Sequence, residues 1–234
     1  MIDTIHLHPT AALAPRVLLP GDPGRALLLA QSLLSEPKMF NHNRGLWGYT
    51  GAAADGEPLT IQSTGMGGPS AAIVIAELAD LGVNRLIRVG TCGALLPSLA
   101  LGDLLIATAA ISADGTSRAL GAGEQIGASE TLVAALRTTA GEGATTGTVV
   151  STDLFYDPRP NQAQAWAQAG AQAVEMETAT LFALGKARQL EVGALLLVSD
   201  ILRPHRTRIA LEDLRQGEER LGQAAAKALS PTDH

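Results

Sequence analysis

Apolar runs of strand length alternate with amphipathic stretches of helix length along almost the whole chain, and nothing else in it constrains the fold as strongly. Strand-like runs fall at Arg16–Pro20, Leu59–Ser63, Arg85–Val89, Asp103–Ala110, Gly147–Ser151, Ala173–Glu175 and Ala194–Ser199. Helical spacing covers Gly24–Ser35, Pro69–Leu81, Ser129–Ala140, Asn161–Gly170, Thr178–Arg188 and Leu211–Leu229. Pro69 suits a first helical turn, and Gly82 stands where a helix stops. This order predicts an α/β fold: a largely parallel or mixed sheet flanked by helices. No composition shift, linker or internal repeat divides residues 1–234, so a single domain is expected. Residues 112–127 read as a loop, long enough to cover a site.

Composition narrows the function. A net charge of −6 argues against sequence-independent binding to nucleic acid, which needs a basic face. Hydrophobic residues at 46% against 17% charged leave apolar surface to spare, which favours an oligomer. No uncharged apolar run reaches the roughly 18 residues of a membrane span. The opening Met-Ile-Asp-Thr-Ile-His lacks the basic and apolar regions of a signal peptide, so a cytoplasmic protein with no membrane partner is expected. The lone cysteine, Cys92, excludes an intrachain disulfide and a multi-cysteine metal site, and its Thr-Cys-Gly-Ala setting suits packing. No His, Asp or Glu cluster has metal-ligand spacing and no Gly-x-Ser-x-Gly elbow occurs, so neither a metal nor any other cofactor is expected.

Three arginines stand beside glycine-rich segments. Arg25 closes Leu-Leu-Pro-Gly-Asp-Pro-Gly-Arg, Arg44 lies in Asn-Arg-Gly, and Arg88 opens Arg-Val-Gly-Thr-Cys-Gly. Glycine lets backbone N–H groups approach a ligand, and a guanidinium presents a planar fork of donors matched to phosphate. Two such segments follow apolar strands, which points to an anion site at the carboxyl ends of a sheet. The alternative is structural arginines paired with carboxylates. Neither loop carries a P-loop or dinucleotide fingerprint, so free phosphate or a single phosphate group fits best.

Carboxylates mark two further places. Glu175 and Glu177 sit where Val174-Glu175-Met176-Glu177-Thr178 leaves a strand for a helix; Glu177 either accepts from vicinal hydroxyls, as on a ribose, or complements the first helical turn. Asp200 follows five apolar residues, where it either donates a proton from a sheltered position or caps the next turn. Phe155 and Tyr156 form an aromatic pair in a chain with only 3% aromatics, available to stack a flat ring or to pack in the core.

Together and in order, Val-Leu-Leu-Pro-Gly-Asp-Pro-Gly-Arg (17–25), Asn-Arg-Gly-Leu-Trp-Gly-Tyr-Thr-Gly (43–51), Ser-Thr-Gly-Met-Gly-Gly-Pro-Ser (63–70), Arg-Val-Gly-Thr-Cys-Gly-Ala (88–94), Asp-Leu-Phe-Tyr (153–156), Val-Glu-Met-Glu (174–177) and Val-Ser-Asp (198–200) resemble the nucleoside phosphorylase-I family, in its bacterial hexameric purine branch. The resemblance implies a single-domain three-layer sandwich with a mixed central sheet flanked by helices. It implies reversible phosphorolysis of purine ribo- or deoxyribonucleosides, with inorganic phosphate as co-substrate. Phosphate would be held by Gly21, Arg25, Arg88, Val89, Gly90 and Thr91, with Arg44 reaching across from a neighbouring subunit. The nucleoside would meet His6, also from across the interface, together with Met66, Phe155, Val174, Glu175, Met176, Glu177 and Ser199. Asp200 would be the catalytic acid that protonates N7 of the departing purine. A homohexamer built as a trimer of dimers would complete each site.

Two departures from the family pattern stand out. The position of the arginine that assists the family's aspartate is Asp213 here, with Arg203, Arg206, Arg208 and Arg215 nearby. His6 stands about one residue closer to the Gly-Asp-Pro loop than the family pattern has it, which leaves His8 as a second candidate. Uridine phosphorylase is the nearest competing function, but Asp200 suits a purine, because uracil has no N7 to protonate. A nucleosidase would have no use for the three arginines, and a non-catalytic nucleoside sensor would have none for the acid.

Overall fold

The computed structural model describes residues 4–203 and 205–231. Its elements are β1 (Arg16–Leu19), α1 (Pro23–Leu33), β2 (Ser35–Asn41), a 3-10 turn at Asn43–Gly45, β3 (Gly48–Ala52), β4 (Pro58–Gln62), α2 (Gly68–Asp80), β5 (Arg85–Ala94), β6 (Leu104–Ala113), α3 (Gly115–Ala119), β7 (Gln125–Gly127), α4 (Glu130–Thr139), β8 (Thr145–Thr152), α5 (Gln162–Gln168), β9 (Ala173–Glu175), α6 (Thr178–Arg188), β10 (Glu191–Ile201), β11 (Thr207–Arg208) and α7 (Leu211–Ala228).

The sheet is mixed, as the alternation of elements predicts. Its order is β11-β10-β6-β8-β9-β5-β1-β4-β3-β2, with β7 beside β6 and an additional β10–β5 pairing. That last pairing closes β10, β6, β8, β9 and β5 into a ring, leaving β1, β4, β3 and β2 as a flange. Side chains alternate across β10. Ala194, Leu196 and Val198 face a core shared with α2 and α6, while Leu195 and Leu197 face one shared with α1, α4 and α7. A strand covered by helices on both faces has no solvent side to mark with polar residues, hence its unbroken apolar run. A smaller cluster joins Leu95, Val150, Trp166 and Ala171 under α5. Helix–sheet–helix layering follows directly.

Every expected helix is present, with ends shifted by at most two residues. Two strands that form the site, β5 and β10, are longer than expected, while β9 keeps its expected bounds and β1 ends one residue early. β5 continues past Val89 to Ala94, because β10 lies parallel to it from Glu191↔Arg85 to Ile201↔Ala94. Arg88 therefore lies inside a strand rather than at its end. The glycines after it serve close packing: a methyl group at Gly90 would stand 2.6 Å from Arg88 Nη2, and one at Gly93 would stand 3.1 Å from Leu202 Cδ1. The expected loop at 112–127 is also corrected. β6 continues to Ala113 by pairing with β8, Asp114 caps α3 by accepting from Ser117 N at 2.7 Å, and Gln125–Gly127 adds β7. β2 escaped sequence detection because it is an edge strand, mostly exposed, with Pro37 inside it. No helix among the described residues is long and apolar enough to cross a membrane.

Candidate active site

One cavity of about 890 Å³ opens at the carboxyl ends of β1, β5 and β10. Arg25, Arg44 and Arg88 all line it. Arg25 reaches it from the first turn of α1, where Asp22 caps the helix by accepting from Gly24 N and Arg25 N. Arg44 sits in the 3-10 turn with φ 57° and ψ 19°, a left-handed conformation that non-glycine residues rarely adopt outside functional or strained places. Arg88 rises from the middle of β5 and is almost wholly buried. Three guanidinium groups thus stand on this wall, two of them paired with carboxylates, and Gly21 and Gly65 bring backbone close beside them.

Carboxylates hold Arg88 in place. Its Nε donates to Glu175 Oε2 at 3.0 Å, and its Nη2 lies 2.6 Å from Glu177 Oε2. Glu175 also accepts from the Ser151 hydroxyl and from the backbone N–H groups of Glu177 and Thr178. Its oxygens are thus fully engaged inside the protein. Glu177 occupies the N-cap position of α6 but makes no side-chain capping bond; it accepts instead from Gly67 N at 2.5 Å. Burial pushes the Glu177 carboxyl above its ordinary range, with Arg88 opposing that push and Glu175 adding to it. Burial works against charge on Arg88 as well, but Glu177 and Glu175 outweigh it and hold the guanidinium more firmly protonated. Cys92, beside them, is buried, and burial together with the Glu175 charge drives its thiol up, which leaves it inert as a nucleophile.

Asp200 lines the same cavity from β10, the strand beside β5. The β10–β5 register shifts between Val198 and Asp200, making Ser199 the extra residue of a bulge. Such a bulge turns the next side chain out of the regular alternation, and here it leaves both Ser199 and Asp200 on the cavity. Asp200 Oδ2 accepts from Ser199 Oγ at 2.7 Å, and Oδ1 accepts from Arg206 Nε at 2.9 Å. Arg208 Nε lies 3.5 Å from the same Oδ1. The Arg206 guanidinium also lies over the Phe155 ring, 4.5 Å from its centroid. Phe155 is 56% exposed at the cavity, and Tyr156 meets it edge-on at 5.0 Å, so neither ring packs in the core. A flat aromatic face, an acid with a cationic neighbour and a cluster of guanidinium groups share one chamber.

A family model described as the phosphorylase superfamily matches residues 15–231. The chain belongs to the phosphorylase superfamily. Among curated relatives, a DeoD-type purine nucleoside phosphorylase of Caldanaerobacter subterraneus subsp. tengcongensis is 40% identical over 196 residues, which is 81% of this chain and 84% of the relative. One from Geobacillus kaustophilus is 38% identical over 198 residues, 82% of this chain and 83% of the relative. Among solved structures, a uridine phosphorylase from Vibrio fischeri, in complex with 6-hydroxy-1-naphthoic acid, superposes with a TM-score of 0.85 at 28% identity. It covers 93% of this chain and 91% of its own.

In this member of the superfamily, Gly21, Arg25, Arg44, Met66, Arg88, Thr91, Phe155, Val174, Glu175, Met176, Glu177, Ser199 and Asp200 come together on one cavity. His6, Val89 and Gly90 do not line it. His6 Nδ1 lies 2.7 Å from Glu77 Oε1, whose carboxylate also accepts from His6 N and Leu7 N. These donors outweigh burial and hold the Glu77 carboxyl below its ordinary range. Val89 is in the core, and Gly90 lies beneath the Arg88 guanidinium. None of residues 112–127 reaches the cavity, so that segment does not cover it. Arg159 does line it, paired with Asp157. Arg206 is the residue that sequence reasoning could name only among several arginines. Its partner strand β11 is two residues long, too short to show a period, so the pairing Asp200↔Arg208 that brings it home is invisible in sequence. Among the described residues, no group of three or more His, Cys, Asp or Glu stands together as a metal site.

Proposed function

We propose that this chain is a purine nucleoside phosphorylase, a pentosyltransferase converting a purine ribo- or deoxyribonucleoside and inorganic phosphate into free base and pentose 1-phosphate, reversibly. The observation that carries this reading is the joining of Arg25 and Arg88 with Asp200 in a single chamber. In the forward direction a phosphate oxygen forms a bond to C1′ while the C1′–N9 bond breaks and its electron pair passes to the purine. Guanidinium groups fix the phosphate, whose negative charge offsets the positive charge growing on the sugar. Asp200 gives its proton to N7, and the carboxylate left behind is stabilised by Arg206 and Ser199. Glu177 receives the sugar hydroxyls, and Phe155 offers its face to the base. Gly21 and Thr91 complete the phosphate cradle, Val89 and Gly90 having no place on the chamber wall, and Met66, Val174, Glu175, Met176 and Ser199 surround the nucleoside.

No cofactor enters this scheme. We read residues 1–234 as one catalytic domain of a cytoplasmic homohexamer, a trimer of dimers in which Arg44 and His6 act across the dimer interface. The exposed Met66 (87%) at the chamber mouth agrees with a surface that a second subunit covers. The curated relatives carry the purine activity in their names, at higher identity than the uridine phosphorylase structure. Asp200 supports the same choice. Incubation with inosine, with and without phosphate, tests the proposal: hypoxanthine and ribose 1-phosphate must form only when phosphate is present. Asp200→Asn must lose about 10²–10⁴-fold in inosine turnover while both KM values stay within a few-fold. Uridine cleaved faster than inosine would establish the pyrimidine reading instead, and phosphate-independent cleavage would establish hydrolysis.

A further inference from the structure

Arg25 owes its orientation to a residue outside every motif of the sequence. Glu218, on α7, accepts a hydrogen bond at Oε1 from Arg25 Nε at 2.7 Å, and the two side chains are only 11% and 10% exposed. Neither group has another side-chain partner among the described residues. A carboxylate that takes Nε leaves both Nη groups of the guanidinium free, and Arg25 lines the cavity. We infer that Glu218 is a positioning residue for the anion site: it fixes the Arg25 guanidinium so that its two Nη groups serve the incoming phosphate. The inference rests on the phosphorolysis reading given above.

Three observations support it beyond the pair itself. First, α7 is docked tightly on both sides of Glu218. A methyl group at Gly217 would stand 2.7 Å from Leu197 Cδ2 of β10, and one at Gly222 would stand 2.4 Å from Leu29 Cδ2 of α1. α7 therefore meets the strand that carries Asp200 and the helix that carries Arg25, with Glu218 between the two contacts. Second, a buried ion pair contributes little net stability, because desolvation offsets its attraction, so stability gives no reason for the pair. Third, the charge of Glu218 opposes the very anion that Arg25 would bind. Orientation and repulsion therefore act in opposite directions, and substitution separates them.

Glutamine keeps an acceptor for Nε and removes the charge; alanine removes both. Steady-state kinetics with inosine saturating and phosphate varied give the readout. Glu218→Ala is expected to raise the KM for phosphate about tenfold, the loss of one hydrogen bond to a charged group, while the KM for inosine stays within about twofold. Glu218→Gln is expected at or below the wild-type KM for phosphate. In an Arg25→Ala background, Glu218→Ala should change that KM by less than about twofold, because the two residues act as one unit. Thermal shifts induced by phosphate should follow the same order without turnover. A rise with glutamine as large as with alanine, an unchanged alanine variant, or a full alanine effect without Arg25 each overturns the assignment. Should Glu218→Ala fail to fold, Glu218→Gln decides alone, since a severalfold rise in its phosphate KM overturns the assignment and a value at or below wild type supports it. A wild-type chain that cleaves inosine without phosphate overturns the phosphorolysis reading and this inference together. A phosphate-dependent wild type with an indifferent Glu218 overturns only the inference.

Discussion

Arg88 shows how much one glycine can decide. The arginine is buried, its Nε and Nη2 are committed to Glu175 and Glu177, and its guanidinium lies where a side chain from Gly90 would project. Glycine at position 90 was legible as part of an anion loop. Its actual reason is steric, and no single sequence reveals which side chain leans over which backbone. Gly90→Ala would place Cβ 2.6 Å from Nη2 and 2.7 Å from Cζ of a group that cannot swing away without abandoning both carboxylates. The variant is therefore expected to lose about 1–3 kcal/mol of stability by overpacking, read from its urea midpoint. Phosphorolysis should fall with it. An unchanged midpoint would mean that Arg88 can leave its carboxylates at no cost.

Helices and long strands were legible in the sequence because each buries a periodic apolar face, and the spacing of that face survives any tertiary arrangement. What periodicity could not supply were elements defined by their partners. The last five residues of β5, the bulge at Ser199 and the two-residue β11 exist because a neighbouring strand runs alongside. The candidate site is built largely from such places. Its motif residues could be named in advance, but its geometry, with Arg206 on Asp200 and Glu218 on Arg25, could not. α7 gives a quantitative case. Alanine exceeds glycine in helix propensity by about 1 kcal/mol, so propensity alone predicts that Gly217→Ala stabilises the chain. Packing predicts the opposite sign. Leu197 is fully buried between β10 and α7, and a new Cβ would meet its two methyl groups at 2.7 and 2.8 Å. Overpacking of this kind costs about 1–3 kcal/mol, so the balance is a net loss of about 1 kcal/mol in denaturant unfolding. A gain in stability would show that α7 is less firmly seated than its glycines indicate.

Closure of β5, β9, β8, β6 and β10 into a ring leaves β1 to β4 as a flange that must be secured separately. Part of that task falls to Arg16, nearly buried on β1. Its Nη1 and Nη2 donate to Asp55 Oδ2 and Oδ1, each at 2.7 Å, and its Nε donates to the Pro58 carbonyl oxygen. Asp55 lies in the turn between β3 and β4, and it also accepts from Ser230 Oγ at 2.6 Å, just beyond α7. One carboxylate thus ties the flange hairpin to the far end of the chain. The Arg16 guanidinium, helped by Ser230 and opposed by partial burial, holds the Asp55 carboxyl well below the usual carboxylate range. A carboxyl depressed in the folded state stabilises the fold above its unfolded value, about 3.9, and loses that contribution as pH falls through the lower folded value. Asp55→Asn should therefore lower Tm by about 2–6 °C at neutral pH. The gap between wild type and variant should hold steady from pH 8 to about pH 5 and narrow below about pH 4, where protonation removes from the wild type what the substitution has already removed. Differential scanning calorimetry of both proteins across that range measures it. A gap that stays constant into strong acid, or widens there, would mean that the hairpin is held by packing and that the charge on Asp55 has no part in it.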